Sequence, residues 1–371
     1  MHPVMGGDWG TNGCISSLSF MGEPIIMRNI RLLSQIVNIE NVAVPKTMPY
    51  LKTLVQSMAP EFEIDTYDEN ELFETSKFQS TETKLVDQSP AGTRTFSISS
   101  NSFSLKQTTN YSMAYSTRLY QHEPTALDNS SYLIPLNSII YQSENSKELL
   151  LTVVTYPWEF LDVIQKIMRN CVKRRIISST ASVAKTSIIE DPCIIEDDVI
   201  IDDFCKIKGS CYIGKGSFIG MSSLIRNCVF ENNVKIGFNC EIAKSYFKGH
   251  DKIAHQNVIL DSVIGKNVWF GGFSGTANVL LDRRNIRYEI GSGKFMDIGR
   301  NHFGALVGDN AAVGAEQSLY YQGGTCQIIQ LFKQVPFIAK TKQLQEIDMN
   351  FDIIWRTAFR FSSLHMNMGN I

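Results

Sequence analysis

The chain has 371 residues, of which 43% are hydrophobic and 19% charged, and its 35 basic and 37 acidic residues leave a formal net charge of -2. This composition is typical of a globular protein with a sizeable core and room for two or three domains, and the balanced charge argues against nucleic-acid partners. The first residues do not resemble a signal peptide and no apolar run reaches the roughly 20 residues of a membrane span, so we predict a cytoplasmic protein without membrane partners.

A glycine-rich stretch, VMGGDWGTNGC, opens the chain and is followed by MGEPIIMRNIRLL. Glycines in such a loop let backbone N–H groups approach a phosphate ahead of a helix N-terminus. Gly6, Gly7, Gly10 and Thr11 are therefore candidate nucleotide-loop residues in an N-terminal α/β domain. Further along, residues 89–110 are rich in turn-forming residues and predict a loop or an exposed hairpin.

A period of six residues dominates the middle of the chain. It runs unbroken through Val183, Ile189, Ile195, Ile201, Ile207, Ile213, Ile219 and Ile225. A period of six fits neither the 3.6-residue repeat of a helix nor a heptad, but it is even, so in strands all of these side chains point to one side. The pattern predicts a parallel β-helix of hexapeptide repeats.

Small side chains stand two residues before each of these positions, namely Ala181, Ser187, Cys193, Val199, Cys205, Cys211, Ser217 and Ser223. We expect them to face inward beside the corners, and we interpret the cysteines as reduced apolar fillers, not as disulfides or zinc ligands. No metal site is predicted, because the acidic residues of 196–203 are expected to face solvent. Glycines follow the repeat at Gly214, Gly220, Gly237 and Gly265, where we expect strained corner turns.

The repeat changes after Ile225. It shortens by one residue to Phe230, resumes, breaks within SYFKGHDKIAH at 245–255, and returns at Val258, Ile264 and Phe270. Such a break predicts a loop inserted on one face, and loops on rigid scaffolds are where sites are found. Beyond residue 324 the repeats stop, and the mixed apolar spacing of 325–371 predicts a cap on the open end of the solenoid.

Three separated stretches resemble a known family. They are YPWEFLDVIQKIM at 156–168, AHQNVILDSVIGKNVWFGGFSGTANV at 254–279 and GRNHFGALVGDN at 299–310. These resemble, in order, segments of the archaeal bifunctional sugar-1-phosphate nucleotidyltransferase/N-acetyltransferases, which make UDP-N-acetylglucosamine. The resemblance covers about 156–315, with weaker matches in the N-terminal glycine-rich loop.

The resemblance implies a domain organisation. We expect a reduced nucleotidyltransferase-like, Rossmann-like α/β domain at 1–155 and a helical linker at 156–177. A left-handed β-helix is expected at 178–324, followed by the cap at 325–371. The family also assembles as trimers through the β-helix, so a homo-trimer or a multiple of it is expected.

The resemblance also implies site residues. His255 takes the place of the general base that deprotonates the sugar amine as it attacks acetyl-CoA, a role that suits a neutral imidazole. Arg226 and Lys244 stand at or beside positions that contact the sugar phosphate. Asn278, Gly304 and Ala305 stand in segments that line the coenzyme site.

Departures from the family pattern keep two hypotheses open. A family tyrosine is Val258 here, a family asparagine is Trp269, and the Gly-Ala-Gly turn reads Gly271-Gly272-Phe273. One hypothesis is a coenzyme A-dependent N-acetyltransferase that acts on an amino-sugar phosphate or nucleotide sugar. The other is a non-catalytic paralogue that binds a sugar nucleotide or a partner subunit. An open groove around His255 would favour the enzyme, and a groove plugged by Trp269 and Phe273 the binding protein.

The N-terminal domain departs further. Asn12 stands for the loop arginine, Glu23 for a turn lysine, and Leu136-Asn137 where a Gly-Asp pair would hold Mg²⁺. Without these charges a phosphoryl-transfer site cannot stabilise its transition state. We therefore predict that nucleotidyl transfer is lost and that Mg²⁺ is not needed.

Overall fold

The structure is a computed structural model that describes residues 14–36, 39–68, 79–80, 84–88, 94–98, 111–116, 125–126, 131–143, 149–291, 294–316, 318–319 and 325–326. The chain divides into compact units 1–333 and 334–371, and every described residue belongs to the first. The residues of the glycine-rich loop and most of the predicted cap lie outside the described ranges.

The N-terminal part begins with a 3₁₀ turn, Ile15–Ser17, and contains two helices and twelve strands within the described residues. In chain order these are β1 (Ser19–Phe20), β2 (Glu23–Pro24), α1 (Ile25–Leu33), β3 (Ile39–Pro45), α2 (Pro49–Met58), β4 (Glu63–Tyr67), β5 (Gln79–Ser80), β6 (Lys84–Gln88), β7 (Arg94–Ile98), β8 (Tyr111–Ser116), β9 (Thr125–Ala126), β10 (Ser131–Pro135), β11 (Ser138–Gln142) and β12 (Leu149–Val153).

These strands form two larger sheets. One has the order β4-β3-β8-β10-β9-β5, and its first four strands are parallel. The other is antiparallel with the order β11-β12-β7-β6. Strand β7 lies inside the second sheet, so the prediction that all of 89–110 is a loop or an exposed hairpin is wrong for Arg94–Ile98. The α/β character predicted for the N-terminal part is confirmed.

Helix α3 (Pro157–Cys171) connects the two halves of the described chain. Proline suits its first turn, and one carboxylate oxygen of Glu159 accepts the N–H groups of Thr155 at 2.7 Å and Tyr156 at 3.0 Å. Its apolar side buries Trp158 and Phe160 against the β-helix, where Phe160 meets the Tyr246 ring edge-on at 5.0 Å between centroids. The linker is therefore part of the packed structure.

The β-helix has three parallel faces of seven strands each. Face 1 contains β13 (Ile176–Ile177), β16 (Cys193–Ile195), β19 (Cys211–Ile213), β22 (Val229–Phe230), β25 (Tyr246–Phe247), β28 (Val263–Ile264) and β33 (Leu306–Val307). Face 2 contains β14 (Ser182–Val183), β17 (Ile200–Ile201), β20 (Phe218–Ile219), β23 (Lys235–Ile236), β26 (Lys252–Ile253), β29 (Trp269–Phe270) and β34 (Ala312–Val313). Face 3 contains β15 (Ile188–Ile189), β18 (Lys206–Lys208), β21 (Leu224–Arg226), β24 (Glu241–Ala243), β27 (Val258–Leu260), β30 (Gly275–Thr276) and β35 (Ser318–Leu319).

The core of the β-helix confirms the six-residue repeat. The six isoleucines of the repeat from Ile195 to Ile225, spaced six residues apart, are at most 1% exposed. The small residues two positions before them, such as Cys205 and Ser217, are equally buried. None of the seven cysteines whose side chains the structure describes is in a disulfide. The left-handed β-helix class predicted from the sequence is confirmed.

The predicted break at 245–255 is wrong. Strand pairing continues through it, with Phe230 opposite Phe247 and Ile236 opposite Ile253. Partners are 18 residues apart in the first coils and 17 in later ones, as for Tyr212 and Val229. The lost residue comes from the corner between faces 3 and 1, so Ile259 faces inward at 0% exposure and Val258 faces outward at 44%.

The true insertion comes later. Val263 pairs with Leu306, 43 residues on, and the chain between them leaves the solenoid after Thr276. This insertion carries an antiparallel hairpin of β31 (Arg287–Gly291) and β32 (Lys294–Asp297), and β31 also pairs with β36 (Thr325–Cys326). The coils on either side of the insertion keep their register.

The prediction that the corner glycines adopt strained turns is wrong. Gly220 is not in the left-handed region; instead, a Cβ added to it would stand 2.7 Å from the backbone of Gly237 in the next coil. The left-handed positions are mostly occupied by other residues, such as Asn227 (φ 52°) and Asn233 (φ 61°), whose short polar side chains tolerate that conformation. The glycines therefore permit close coil stacking.

Candidate active site

His255 lies at the corner between faces 2 and 3, which we call the 2–3 corner, and its side chain is exposed. Its Nδ1 accepts the backbone N–H of Phe238, one coil earlier, at 3.1 Å. A nitrogen that accepts a hydrogen bond holds the lone pair of the neutral ring, so the proton of neutral His255 lies on Nε2. In this arrangement Nε2 is a donor, and the base nitrogen is engaged.

Exposed apolar side chains lie at the 2–3 corner and on the two faces that meet there. Phe238 is 44% exposed, Val258 44%, Trp269 47% and Phe273 62%. Trp269 lies on face 2 opposite Lys252, and Val258 lies on face 3 opposite Glu241. Trp269 and Phe273 thus face solvent in the single chain and do not fill a closed pocket, so the 2–3 corner carries an open apolar band.

Arg226 and Lys244 lie at the other edge of face 3, the 3–1 corner. Arg226 ends strand β21, and its guanidinium forms an ion pair with the Glu241 carboxylate of the next coil. Lys244 follows strand β24 in the left-handed conformation, with φ 48°. Strand β27, Val258–Leu260, separates this edge from His255 by about 10 Å at the usual rise of a strand. Within one chain the structure does not bring them together.

Asn278, Gly304 and Ala305 hold the ends of the insertion on the same 3–1 corner. The Asn278 amide donates to a carboxylate oxygen of Asp261 at 2.5 Å, and the Gly304 N–H donates to the Asp261 carbonyl at 2.8 Å. The Ala305 N–H donates to Ser262 Oγ at 3.0 Å. All three donors are used inside the chain, so their observed contacts are structural.

A cleft of about 580 Å³ opens between α3, the 3–1 corner and the end of the insertion. Its lining residues are Tyr141, Thr152, Leu161, Asp162, Val163, Gln165, Lys166, Arg169, Asn227, Lys244, Asp261, Arg300, His302 and Phe303. Of these residues, Lys244 was predicted from the sequence as a site residue, but the cleft itself was not predicted. The spacing of Lys166 and Arg169, three residues apart on one helix face, was the available signal.

The cleft walls are held by polar contacts between elements that are distant in sequence. Arg300 forms a bidentate ion pair with Asp162 on α3, with one N–O distance of 2.6 Å. Gln165 donates to the backbone carbonyl of Asn227 at 2.7 Å. The cleft therefore has one wall on the helix and one on the β-helix.

The N-terminal site residues are only partly described. Gly6, Gly7, Gly10 and Thr11 lie outside the described residues. Glu23 forms a bidentate ion pair with Arg31 on α1, at 2.9 and 2.7 Å. Leu136 and Asn137 form the turn between β10 and β11, and the buried Asn137 amide donates to the carbonyl of Val154 at 2.9 Å. Glu23 and Asn137 thus have structural partners.

Within the described ranges, no group of three His, Cys, Asp or Glu side chains is placed to hold a metal ion. None of the helices in those ranges has the length and apolar character of a bilayer-crossing segment.

Comparison with known proteins supports the resemblance seen in the sequence. The family model for bacterial transferase hexapeptide (six repeats) matches residues 192–227. The chain is 33% identical over 198 residues to bifunctional protein GlmU of Methanococcus aeolicus, which covers 51% of this chain and 47% of that protein. It is 33% identical over 80 residues to the bifunctional sugar-1-phosphate nucleotidylyltransferase/acetyltransferase of Sulfurisphaera tokodaii, with 22% and 20% covered.

The chain spans about half the length of the Methanococcus aeolicus protein. Among solved structures, a variant of perosamine N-acetyltransferase from Caulobacter crescentus, in complex with CoA and GDP-perosamine, is 9% identical with a TM-score of 0.24, over 63% of this chain and 89% of that one. A similarity this low does not indicate function.

Proposed function

We propose that the β-helix transfers an acetyl group from coenzyme A to the amine of a sugar phosphate or nucleotide sugar, in nucleotide-sugar biosynthesis. The observation that carries the proposal is the position of His255 on an exposed corner, inside a segment that resembles the acetyltransferase segment of the family. The names of the relatives, one of them a nucleotidylyltransferase/acetyltransferase, support this class of reaction.

The apolar band of the 2–3 corner fits a coenzyme arm. Phe238 and Phe273 contact His255 through their backbone N–H groups, and Trp269 lies on the adjoining face 2; all three are about half exposed and offer apolar surface for the pantetheine chain. Acetyl-CoA would supply the thioester, and coenzyme A would leave as the thiolate. We propose that a second copy packs against this band, so that the protein acts as a homo-trimer through its β-helix.

The reaction asks His255 to take a proton from the sugar amine while the amine attacks the thioester carbon and the thiolate leaves. The lone pair of His255 is held by the Phe238 N–H. Accepting the proton therefore requires the ring to release that hydrogen bond, a net cost of about 1 kcal/mol. In the observed tautomer His255 instead presents an N–H donor, which suits a carbonyl or phosphate oxygen.

That same hydrogen bond favours a second candidate function. If the ring keeps the bond to Phe238, His255 binds an acceptor group but does not abstract a proton. Two other positions also favour binding over catalysis. The Arg226 guanidinium is paired with the Glu241 carboxylate, and Val258 has no hydroxyl where the family has a tyrosine. The protein would then bind a sugar nucleotide or a partner subunit as a regulator or scaffold.

For the N-terminal domain we propose that nucleotidyl transfer is lost. Glu23 places a negative charge where the family has a lysine, and the Leu136-Asn137 turn contains no carboxylate for Mg²⁺. Incubation of the full chain with UTP, N-acetylglucosamine-1-phosphate and Mg²⁺ should release no pyrophosphate. Turnover above a no-protein control would contradict this proposal.

The test of the acetyltransferase combines binding, turnover and two histidine variants. Acetyl-CoA is titrated calorimetrically into the full chain, and acetyl transfer to glucosamine-1-phosphate is followed by thiol release. His255→Asn keeps an acceptor near the Nδ1 position, whereas His255→Gln keeps a donor near Nε2. His250→Asn, at another exposed corner with φ 62°, is the matched control.

An enzyme with a histidine base should lose turnover in both His255 variants, keep it in His250→Asn, and bind acetyl-CoA in all three. If wild type binds acetyl-CoA or a nucleotide sugar without turnover, and only His255→Gln retains the affinity, the binding protein is supported. No binding of acetyl-CoA and no turnover would reject the acetyltransferase. Light scattering on the same samples measures the oligomeric state.

A further inference from the structure

The cleft between α3 and the 3–1 corner carries an excess of positive charge. Four cationic side chains, Lys166, Arg169, Lys244 and Arg300, and the imidazole of His302 line it, against only two carboxylates, Asp162 and Asp261. These charges come from three elements that are far apart in sequence. Their convergence therefore results from the tertiary fold and not from a local charge run.

Internal pairing leaves much of this positive charge uncompensated. Asp162 is occupied by Arg300 through two contacts, and Asp261 accepts the Asn278 amide. Neither Arg169 nor Lys244 forms a side-chain hydrogen bond or ion pair with another residue in the described part of the chain. The two cations thus remain available on opposite walls, one on α3 and one on the β-helix.

The floor of the cleft is partly aromatic. Tyr141 and Phe303 are both about 1% exposed, and the Tyr141 hydroxyl lies 3.3 Å from Thr152 Oγ1. The Lys166 ammonium stands 5.9 Å from the centroid of the Tyr141 ring. A volume of about 580 Å³ lies within the range of pockets that hold small organic ligands and is larger than a single phosphate needs.

We infer that this cleft binds a phosphate-bearing organic molecule of about nucleotide size, with the phosphate between Arg169 and Lys244. Arginine offers a planar fork of donors and lysine a point charge, and both are common phosphate ligands. The bound ligand contacts α3 and the β-helix at once and so stabilises their packing. The site is at the opposite edge of face 3 from His255, and the inference does not depend on acyl transfer.

The experiment uses the full chain and three probes: uridine diphosphate, inorganic phosphate and uridine. Affinity is measured calorimetrically at low salt, and the melting temperature is measured with and without each probe. Arg169→Gln and Lys244→Gln are combined in one variant. Lys252→Gln, which removes an exposed lysine from face 2, is the matched control for charge loss.

We expect uridine diphosphate to bind and to raise the melting temperature, inorganic phosphate to bind more weakly, and uridine to have no effect. The double variant should bind uridine diphosphate at least tenfold more weakly, while Lys252→Gln and His255→Asn bind it as wild type does. The melting temperature without ligand shows whether the double variant is folded.

Three results would overturn the inference: no binding of uridine diphosphate by wild type, unchanged affinity in a folded double variant, or lost affinity in His255→Asn alone. Equal affinities for inorganic phosphate and uridine diphosphate would overturn the organic part and assign the cleft to free phosphate. If the double variant is unfolded, the single variants Arg169→Gln and Lys244→Gln are measured in its place, each with an expected loss of at least threefold.

Discussion

Glu231 links the β-helix to the N-terminal part through a buried carboxylate. Its two oxygens accept the backbone N–H groups of Met21 at 2.8 Å and Gly22 at 3.0 Å, in the turn between β1 and β2, and the residue is 3% exposed. Burial raises the pKa of Glu231 from 4.5 to about 7, with the nearby Glu196 adding to the rise and the two N–H donors opposing it.

The sign of the effect on stability follows from proton binding. Between pH 4.5 and about 7 the folded state holds a proton on Glu231 and the unfolded state does not, so the free energy of unfolding falls as pH rises. A shift of this size corresponds to about 3 kcal/mol across the window, at roughly 1.4 kcal/mol per pH unit. Above pH 7 this contribution is constant, because both states are then ionised.

Glu231→Gln removes this titration and keeps the shape of the side chain. The free energy of unfolding, measured in urea at pH 5, 6, 7 and 8, should rise in the variant relative to wild type by about 2.5 kcal/mol from the lowest to the highest pH. The comparison cancels the titration of groups that both proteins share, such as the buried carboxyl of Asp251. Glu61→Gln, at an exposed position, is the control. If the difference in the free energy of unfolding between wild type and Glu231→Gln does not change with pH, the reasoning is refuted.

Three further predictions concern packing and reactivity. Ile213→Ala, at a fully buried position, should destabilise the protein by about 2–5 kcal/mol in urea unfolding, whereas Ile188→Ala, at 56% exposure, should change it by under about 0.5 kcal/mol. Gly304→Ala should cost about 1–3 kcal/mol, because its Cβ would stand 2.0 Å from the carbonyl oxygen of Leu260; equal melting temperatures would exclude that clash. Cys171 is the one exposed thiol among the seven cysteines whose side chains the structure describes, so Cys171→Ser should remove one equivalent from the fast phase of thiol modification.

The repeat could be predicted from the sequence because most inward positions in the first coils hold small or branched apolar side chains at a constant spacing. Ile195 and Cys193 are two of these buried residues. The prediction failed where a coil loses one residue. Counting six residues back from Ile264 selects Val258 as inward, but the corner between faces 3 and 1 at this point is one residue short, so the inward position is Ile259.

The location of the site residues was harder to predict. The sequence motifs predict one site that contains His255, Arg226 and Asn278. Spacing along the chain does not show at which corner of a triangular coil each residue lies, so the separation of these residues within one chain could not be predicted. The cleft depends on contacts such as Arg300 with Asp162, 138 residues apart, and Gln165 with Asn227, 62 residues apart. Contacts at such separations carry no periodic signal in the sequence.

The insertion between Thr276 and Ala305 also has a consequence for the order in which the solenoid folds. Each earlier coil docks on a neighbour 17 or 18 residues away, but the last described coil must find its partner across 43. Closing the longer loop costs a little under 1 kcal/mol more than closing one of 17 residues, by the logarithmic dependence of closure entropy on length. The coil that begins at Leu306 should therefore dock last and open first, and its amide hydrogens should exchange faster than those of the coils before it.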